Sequence, residues 1–534
     1  MAMITLVQKY LEHQLYPDAT FLCERLFTER QDESNLFYLA TCYHKQGAII
    51  SAYRLLKEHF KHASPRIRYL LAVCATFLGK DQEAEKVLLG KLYRVRVTPE
   101  YSSKELTQIP FSASGMQLLG SIYVRQKRYA EAIQFFQHSL TQDPFLFTSY
   151  QALCELGEIV EPRRIFYSVD TVPEAVNTTK VTDHILHEEP VSEEEHCLSL
   201  RKCVLNVYAL LATAYQQLLD YNCSACLSSL SNLSLKQYNT GWVLHKVACA
   251  YFELGEYAEA KKTFSNLQRL EPFGTRGLDI YSTTLWHLKD TVSLCNLAQE
   301  AIAKNRLSER TWCVVGNCFS LQKEHENAIC FFQRAIHINC RYTYAYTLVG
   351  HEYVSNEDFN KAVECYRQAV TINCRHYNAW YGLGTIYFRQ EKYSVAEFHF
   401  NRAISINSKS SILYCYLGMV LAQLHAPDYS RAMQMLRKAA AINSSNPQAP
   451  FQRGVILTKL GQFEDALLSL LEVRDFAPRE ASVYFHLGKI CASLGRTDDA
   501  WHHFNTAHDL DPKNGNLYKS HVERLLLSHP VNGL

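Results

Sequence analysis

Gly316, Gly350, Gly384 and Gly418 stand 34 residues apart, and after a two-residue insertion near 425–430 the series resumes at Gly454 and Gly488. A second series, Ala328, Ala362, Ala396, Ala432, Ala466 and Ala500, keeps step with it. A third follows four residues later, at Phe332, Tyr366, Phe400, Leu436, Leu470 and Phe504. Three phased series that share one insertion require a stack of identical supersecondary units, because a period of this length means that each unit buries its apolar face against the next. The 534 residues are therefore one long array rather than three or four unrelated globular domains.

The local texts WCVVGNCF (312–319), YTLVGHEY (346–353) and WYGLGTIY (380–387) match the tetratricopeptide pattern of two antiparallel helices, A and B. The eighth-position Gly and twentieth-position Ala are small so that helix A approaches helix B, and large residues fill the space between repeats. Pro272, Pro478 and Pro512 stop helix B, and Asn339-Cys340 or Asn373-Cys374 end it elsewhere. Clear or degenerate units also cover 251–264, 275–308, 205–238, 120–136, 71–88 and 39–56, and the first residues read as one more pair, giving about thirteen in all. The expected class is an all-α, right-handed superhelical tetratricopeptide solenoid. Its expected parts are an N-terminal block at 1–157 with a loop inserted at 91–112, and an acidic flexible linker at 158–198. A C-terminal superhelix at 199–512 and a capping helix and tail at 513–534 complete it.

Composition narrows the function. With 55 basic and 53 acidic residues the formal charge is +2, which gives no overall attraction to nucleic acid or an acidic membrane. No basic, apolar leader opens the chain and no apolar run approaches the ~20 residues of a membrane span. The eighteen cysteines are expected as reduced core residues of a nuclear or cytoplasmic protein, Cys23, Cys42, Cys74, Cys249, Cys318 and Cys365 falling in apolar helical phases. Cys223-x-x-Cys226 lacks a second ligand pair at zinc spacing, and His502-His503 and His184/His187 are isolated, so no metal and no cofactor are expected. There is no G-x-S-x-G, no phosphate loop and no strand pattern to hold an enzyme active site. The chain reads as a binding scaffold, not an enzyme.

Such a scaffold binds along its concave face, lined by helix A positions 2, 5, 9 and 12. Across three repeats these positions supply Asn317, Ser320, Tyr344, Thr347, His351, Asn378 and Tyr381, a polar-aromatic and nearly uncharged lining suited to an extended peptide. Asn317 is the foremost candidate to hold a peptide backbone or terminal carboxylate.

Strings that the tetratricopeptide fold does not demand carry a closer resemblance. IYSTTLWHL (280–288), GNCFSLQKEHENAI (316–329), AYTLVGHEYV (345–354) and RHYNAWYGLGTIYF (375–388) are similar to one subunit family of the anaphase-promoting complex, or cyclosome: that of cell division cycle protein 27. The stretches 18–59 and 140–158 resemble it too. The resemblance implies a non-catalytic scaffold of a multisubunit ubiquitin ligase, homodimeric through its N-terminal repeats and packed against other tetratricopeptide subunits. It implies a C-terminal groove that receives the Ile-Arg tails of coactivators and of the Doc subunit. The tail arginine would need an acid, with Glu352 first and Glu324 or Asp358 after it. The resemblance stops at the linker, where none of the Ser or Thr residues of 158–198 precedes a proline. Another tetratricopeptide subunit of the same ligase, or a co-chaperone clamping other C-terminal peptides, are the alternatives. The latter wants lysine at position five, where Cys313 and Thr347 stand.

Overall fold

In a computed structural model, residues 2–59, 64–90, 93, 109–166, 193–444, 446–512 and 520 are described, and among them every regular element is a helix. The three phased series meet in space as their spacing demands. A Cβ on Gly316 would lie 2.3 Å from the Phe332 ring, and one on Gly350 2.6 Å from Tyr366. Gly384 faces Phe400, and Gly488 faces Phe504, in the same way. Each glycine is thus the seat of the ring sixteen residues on, and Ala328, Ala362 and Ala396 are wholly buried beside it.

Both ends of each pair are set by backbone chemistry. Gly255, Lys289, Lys323, Glu357 and Glu391, 34 residues apart, all take a left-handed conformation in the turn from helix A to helix B. Helix B ends at an asparagine that the sequence marks only as a workable stop. Its side chain does more: Asn339 Oδ1 accepts the Arg341 amide at 3.1 Å and Asn373 Oδ1 that of Arg375 at 3.0 Å. This Asx turn replaces proline where proline is absent.

The chain divides into two compact units, 1–219 with 228–233, and 220–227 with 234–534. In the first, helix pairs begin with Ala2–Glu12 and Tyr16–Glu29 and end with Ser112–Arg125 and Tyr129–Gln142. Helix Phe147–Leu156 then packs against Glu193–Leu219. Tyr150 Oη donates to the Ala212 carbonyl at 3.3 Å, and Tyr215 Oη donates to Glu155 at 2.8 Å. Parts of the expected linker are therefore helical, namely Pro162–Phe166 and the start of Glu193–Leu219. The compact boundary falls at 219–220, because Phe147, Phe166 and Tyr208 give the long helix an aromatic seat on the N-terminal unit. Residues 167–192, most of the inserted loop 91–112, and nearly all of the expected cap 513–534 lie outside the described residues.

In the second unit the helix A elements that matter for binding are Gly241–Leu254, Leu278–His287, Glu309–Leu321, Thr343–Ser355 and Tyr377–Arg389. The B helices paired with the last three of these are His325–Ile338, Phe359–Ile372 and Tyr393–Ile406; the next pair is Ser411–Leu421 with Tyr429–Ile442. The unit curves on itself strongly enough for repeats four apart to touch: Tyr377 Oη donates to Glu253 Oε2 at 3.1 Å across 124 residues, and the Tyr221 ring meets the Tyr377 ring edge-on at 5.1 Å.

Candidate peptide-binding groove

The predicted groove residues separate into those already occupied and those with capacity left. Asn317 is only 4% exposed, and its amide donates to Ser282 Oγ at 2.8 Å and Thr283 Oγ1 at 3.1 Å. Thr283 in turn bonds the Tyr344 hydroxyl at 2.7 Å, so one network ties three successive repeats together. Asn317 thereby fixes the register of the groove floor, with Oδ1 as the amide atom left to a ligand. Thr347 is buried and turned back onto the Tyr344 carbonyl at 2.7 Å.

Glu352, expected to meet an arginine, is spent as well. It is 7% exposed, accepts from Ser320 Oγ at 2.7 Å, and lies 2.6 Å from His325 Nδ1. Ser320 also accepts from Trp286 Nε1 at 3.2 Å. Helix A position ten turns inward toward helix B, which is why this acid is a structural link between repeats and not a free anion. Glu324 and Asp358 precede the B helices at the A–B turns, away from the groove, where Asp358 pairs with Lys361 at 2.7 Å.

His351, Asn378 and Tyr381 keep accessible surface. His351 is exposed and bonded to the Tyr366 hydroxyl at 2.9 Å. Asn378 is half-buried, and Tyr381 packs edge-on against Tyr416 at 5.4 Å. The protein packed around three histidine rings disfavours the charged form, pushing His351, whose outer edge stays accessible, and His376 down to about 4 and His245 to about 3. At neutral pH the groove histidines are uncharged.

Two acids that sequence reasoning passed over complete the site. Glu253 is exposed to the groove, yet the protein around it pushes its carboxyl up to about 7, the Tyr377 hydroxyl pulling the other way. Among the described residues no cation pairs with it. Asp279 is 8% exposed; Tyr342 Oη donates to its Oδ2, and Arg310 Nε stands 3.8 Å from that oxygen. Asp279 Oδ1 and Arg310 Nε are buried without a hydrogen-bond partner. Orphaned buried polar atoms of this kind mark places where a ligand or water belongs. Arg310 stands at position two, already counted as a groove position. Glu253 and Asp279 carry no local signal, since only the curvature of the array brings Tyr377 and Tyr342 to them.

Cys223 and Cys226 are buried, and desolvation pushes their thiols up to about 12 and 11. That disfavours the thiolate a metal would need.

Comparison with known proteins identifies the scaffold. Residues 12–91 match the family model "Anaphase-promoting complex, cyclosome, subunit 3", and tetratricopeptide models match 113–145, 242–273, 350–391, 377–410 and 451–515. Cell division cycle protein 27 homolog A of Arabidopsis thaliana is 32% identical, over 98% of this chain and 97% of its own. Anaphase-promoting complex subunit 3 of Dictyostelium discoideum is 49% identical over 61% of this chain, which spans 33% of that longer protein. The Homo sapiens cell division cycle protein 27 homolog is 28% identical over 62% of this chain and 71% of its own. In three dimensions the chain is similar to the crystal structure of the anaphase-promoting-complex hetero-tetramer Cut9-Hcn1. The TM-score is 0.71 at 16% identity, covering 98% of this chain and 96% of that one, so that the fold is a tetratricopeptide solenoid.

Proposed function

The chain belongs to the family of cell division cycle protein 27, subunit 3 of the anaphase-promoting complex or cyclosome, and from that premise we propose a homodimeric, non-catalytic scaffold that captures C-terminal Ile-Arg tails. The tails are those of coactivators and of the Doc subunit, and other tetratricopeptide subunits are its neighbours in the ligase. Nucleus and cytoplasm are the compartments such a role requires.

The observation that carries tail capture is the pair of buried atoms without a hydrogen bond on two A helices, Arg310 Nε and Asp279 Oδ1, together with Glu253, whose partner among the described residues is the Tyr377 hydroxyl and not a cation. A peptide ending in Ile-Arg-COOH brings one carboxylate, which can give Arg310 Nε the hydrogen bond that the 3.8 Å Asp279 contact does not, and one guanidinium, the partner Glu253 lacks. Glu253 takes the guanidinium in place of Glu352, and Arg310 takes the terminal carboxylate, with Asn378 and the Asn317 Oδ1 available to the peptide backbone. Charge-assisted hydrogen bonds contribute roughly 1.5–3 kcal/mol each. A two-residue tail is therefore held weakly, and a dimer offering two grooves raises the effective concentration of tethered tails. For the dimer, the N-terminal unit exposes Phe21, Ile50 and Phe77, an apolar set that a second copy would cover.

Binding of a fluorescent peptide ending in free Ile-Arg is the test, against its C-terminal amide and with Arg310→Ala. The free acid should bind at least tenfold tighter than the amide, and Arg310→Ala should erase that difference. An amide that binds equally well overturns tail capture. Sedimentation of the full chain at tens of micromolar reads the dimer, and a monomer there overturns it.

A further inference from the structure

The overall charge is near zero, yet its distribution along the B helices of the second unit is not. The C-terminal half of each B helix and the turn after it occupy an eleven-residue window. In four successive windows, 332–342, 366–376, 400–410 and 436–446, there is no Asp or Glu. The windows on either side, 298–308 and 470–480, contain Glu300 and then Glu472, Asp475 and Glu480. Within those flanking windows Lys304 pairs with Glu300 at 2.8 Å and Arg474 with Asp475 at 3.2 Å, leaving Arg306 and Arg479 as the cations without an ion pair among the described residues. Between them, Arg367, Arg402, Arg437 and Lys438 are exposed on the helices, and Arg341 and Lys409 in the turns. Among the described residues none of these six has a carboxylate within ion-pair distance.

Cations near helix C-termini are favoured by the helix dipole. The dipole is the same in the flanking repeats, which nevertheless place acids there, so it does not account for an acid-free belt. Each helix adds an apolar rung. Residues four apart share a helix face, which sets Arg402 beside Ile406 and Lys438 beside Ile442, with Ile338 and Ile372 at the equivalent places. Ile338 and Ile442 are 40% and 38% exposed.

We propose that this belt along B helices 325–442 is a docking surface for an acidic segment of another protein, one that alternates carboxylates with apolar side chains. The cations supply the attraction, and the isoleucine rungs choose a polypeptide over a polyanion without apolar side chains, such as nucleic acid. The surface lies on the B helices, whereas tail capture uses the A helices. The two therefore operate independently and can be occupied together.

The experiment uses the full chain and a fluorescein-labelled sixteen-residue peptide, four repeats of Glu-Leu-Glu-Ser, read by anisotropy. The variant is R367E/R402E/R437E/K438E. A control, K289E/K323E/K392E/K459E, makes the same charge change elsewhere in the unit, and thermal melts followed by circular dichroism establish that both are folded. The belt variant should weaken binding at least tenfold and the control less than twofold, and a peptide with Gln for every Glu should not bind. Equal loss in both variants, equal binding of the Gln peptide, or competition by oligo-dT or phosphatidylserine vesicles as effective as unlabelled peptide would each overturn the proposal. Unchanged Ile-Arg tail binding in the belt variant separates this surface from the groove.

Discussion

Glu352 and Glu253 are both carboxylates on helix A of the same solenoid unit, and their fates are opposite. Glu352 turns inward, is bonded by Ser320 and His325, and ties one repeat to the next. Glu253 is exposed, accepts from the Tyr377 hydroxyl, has no cation at ion-pair distance among the described residues, and is pushed up to about 7. The first is satisfied inside the fold; the second is left without a cation, and its charged form awaits one from outside. In a repeat scaffold, then, the type of a residue marks a binding site less well than what its partners leave unsatisfied.

Removing each carboxylate should separate the two roles, and the largest effect belongs to the inward one. Glu352→Ala leaves Ser320 and His325 without their acceptor and should cost about 3 kcal/mol. Urea unfolding of the full chain reads it, and a loss under about 1 kcal/mol would mean that the network is ornamental. Glu253→Gln should leave the unfolding midpoint in place while weakening Ile-Arg tail binding about tenfold, close to 1.4 kcal/mol.

The third prediction concerns pH. The free Glu253 carboxyl titrates near 7, and a bound guanidinium would lower that value, so binding releases a proton below pH 7 and none above it. Tail affinity should rise about tenfold from pH 6 to pH 8 in the wild type. It should be flat in Glu253→Gln; a flat wild-type profile assigns the arginine to another acid. The smallest effect is expected from Tyr377→Phe. The hydroxyl is what holds the Glu253 pKa down against burial, so its loss should move the midpoint of that profile above 7 with less than a threefold change in affinity at pH 8. A midpoint that falls instead would reverse the assigned role of the hydrogen bond.

The fold was legible from the chain because its core is a local matter. A glycine, an alanine and an aromatic at fixed spacing specify one helix pair, and Gly316, Ala328 and Phe332 meet as that spacing requires. The Asn339 and Asn373 helix ends were legible as stops, though not as Asx turns. The groove was an expectation from position alone: of Tyr344, His351, Asn378 and Tyr381, His351 is exposed and the other three are half-buried. Its chemistry was not legible. Whether Asn317 or Glu352 is free depends on Ser282 and Thr283 one repeat before it, or on Ser320 and His325 in the repeat before. A one-dimensional pattern marks which face a residue takes but not which neighbours it meets.

The sequence by itself determined the architecture and the family, through a 34-residue period and strings such as GNCFSLQKEHENAI that the period does not require. It also contained the acid-free belt, since charge along B helices can be read by repeat. Only the tertiary structure decided which polar groups remain unsatisfied. Small rotations between neighbouring repeats accumulate over four of them until Tyr377 reaches Glu253, and no local pattern encodes that sum.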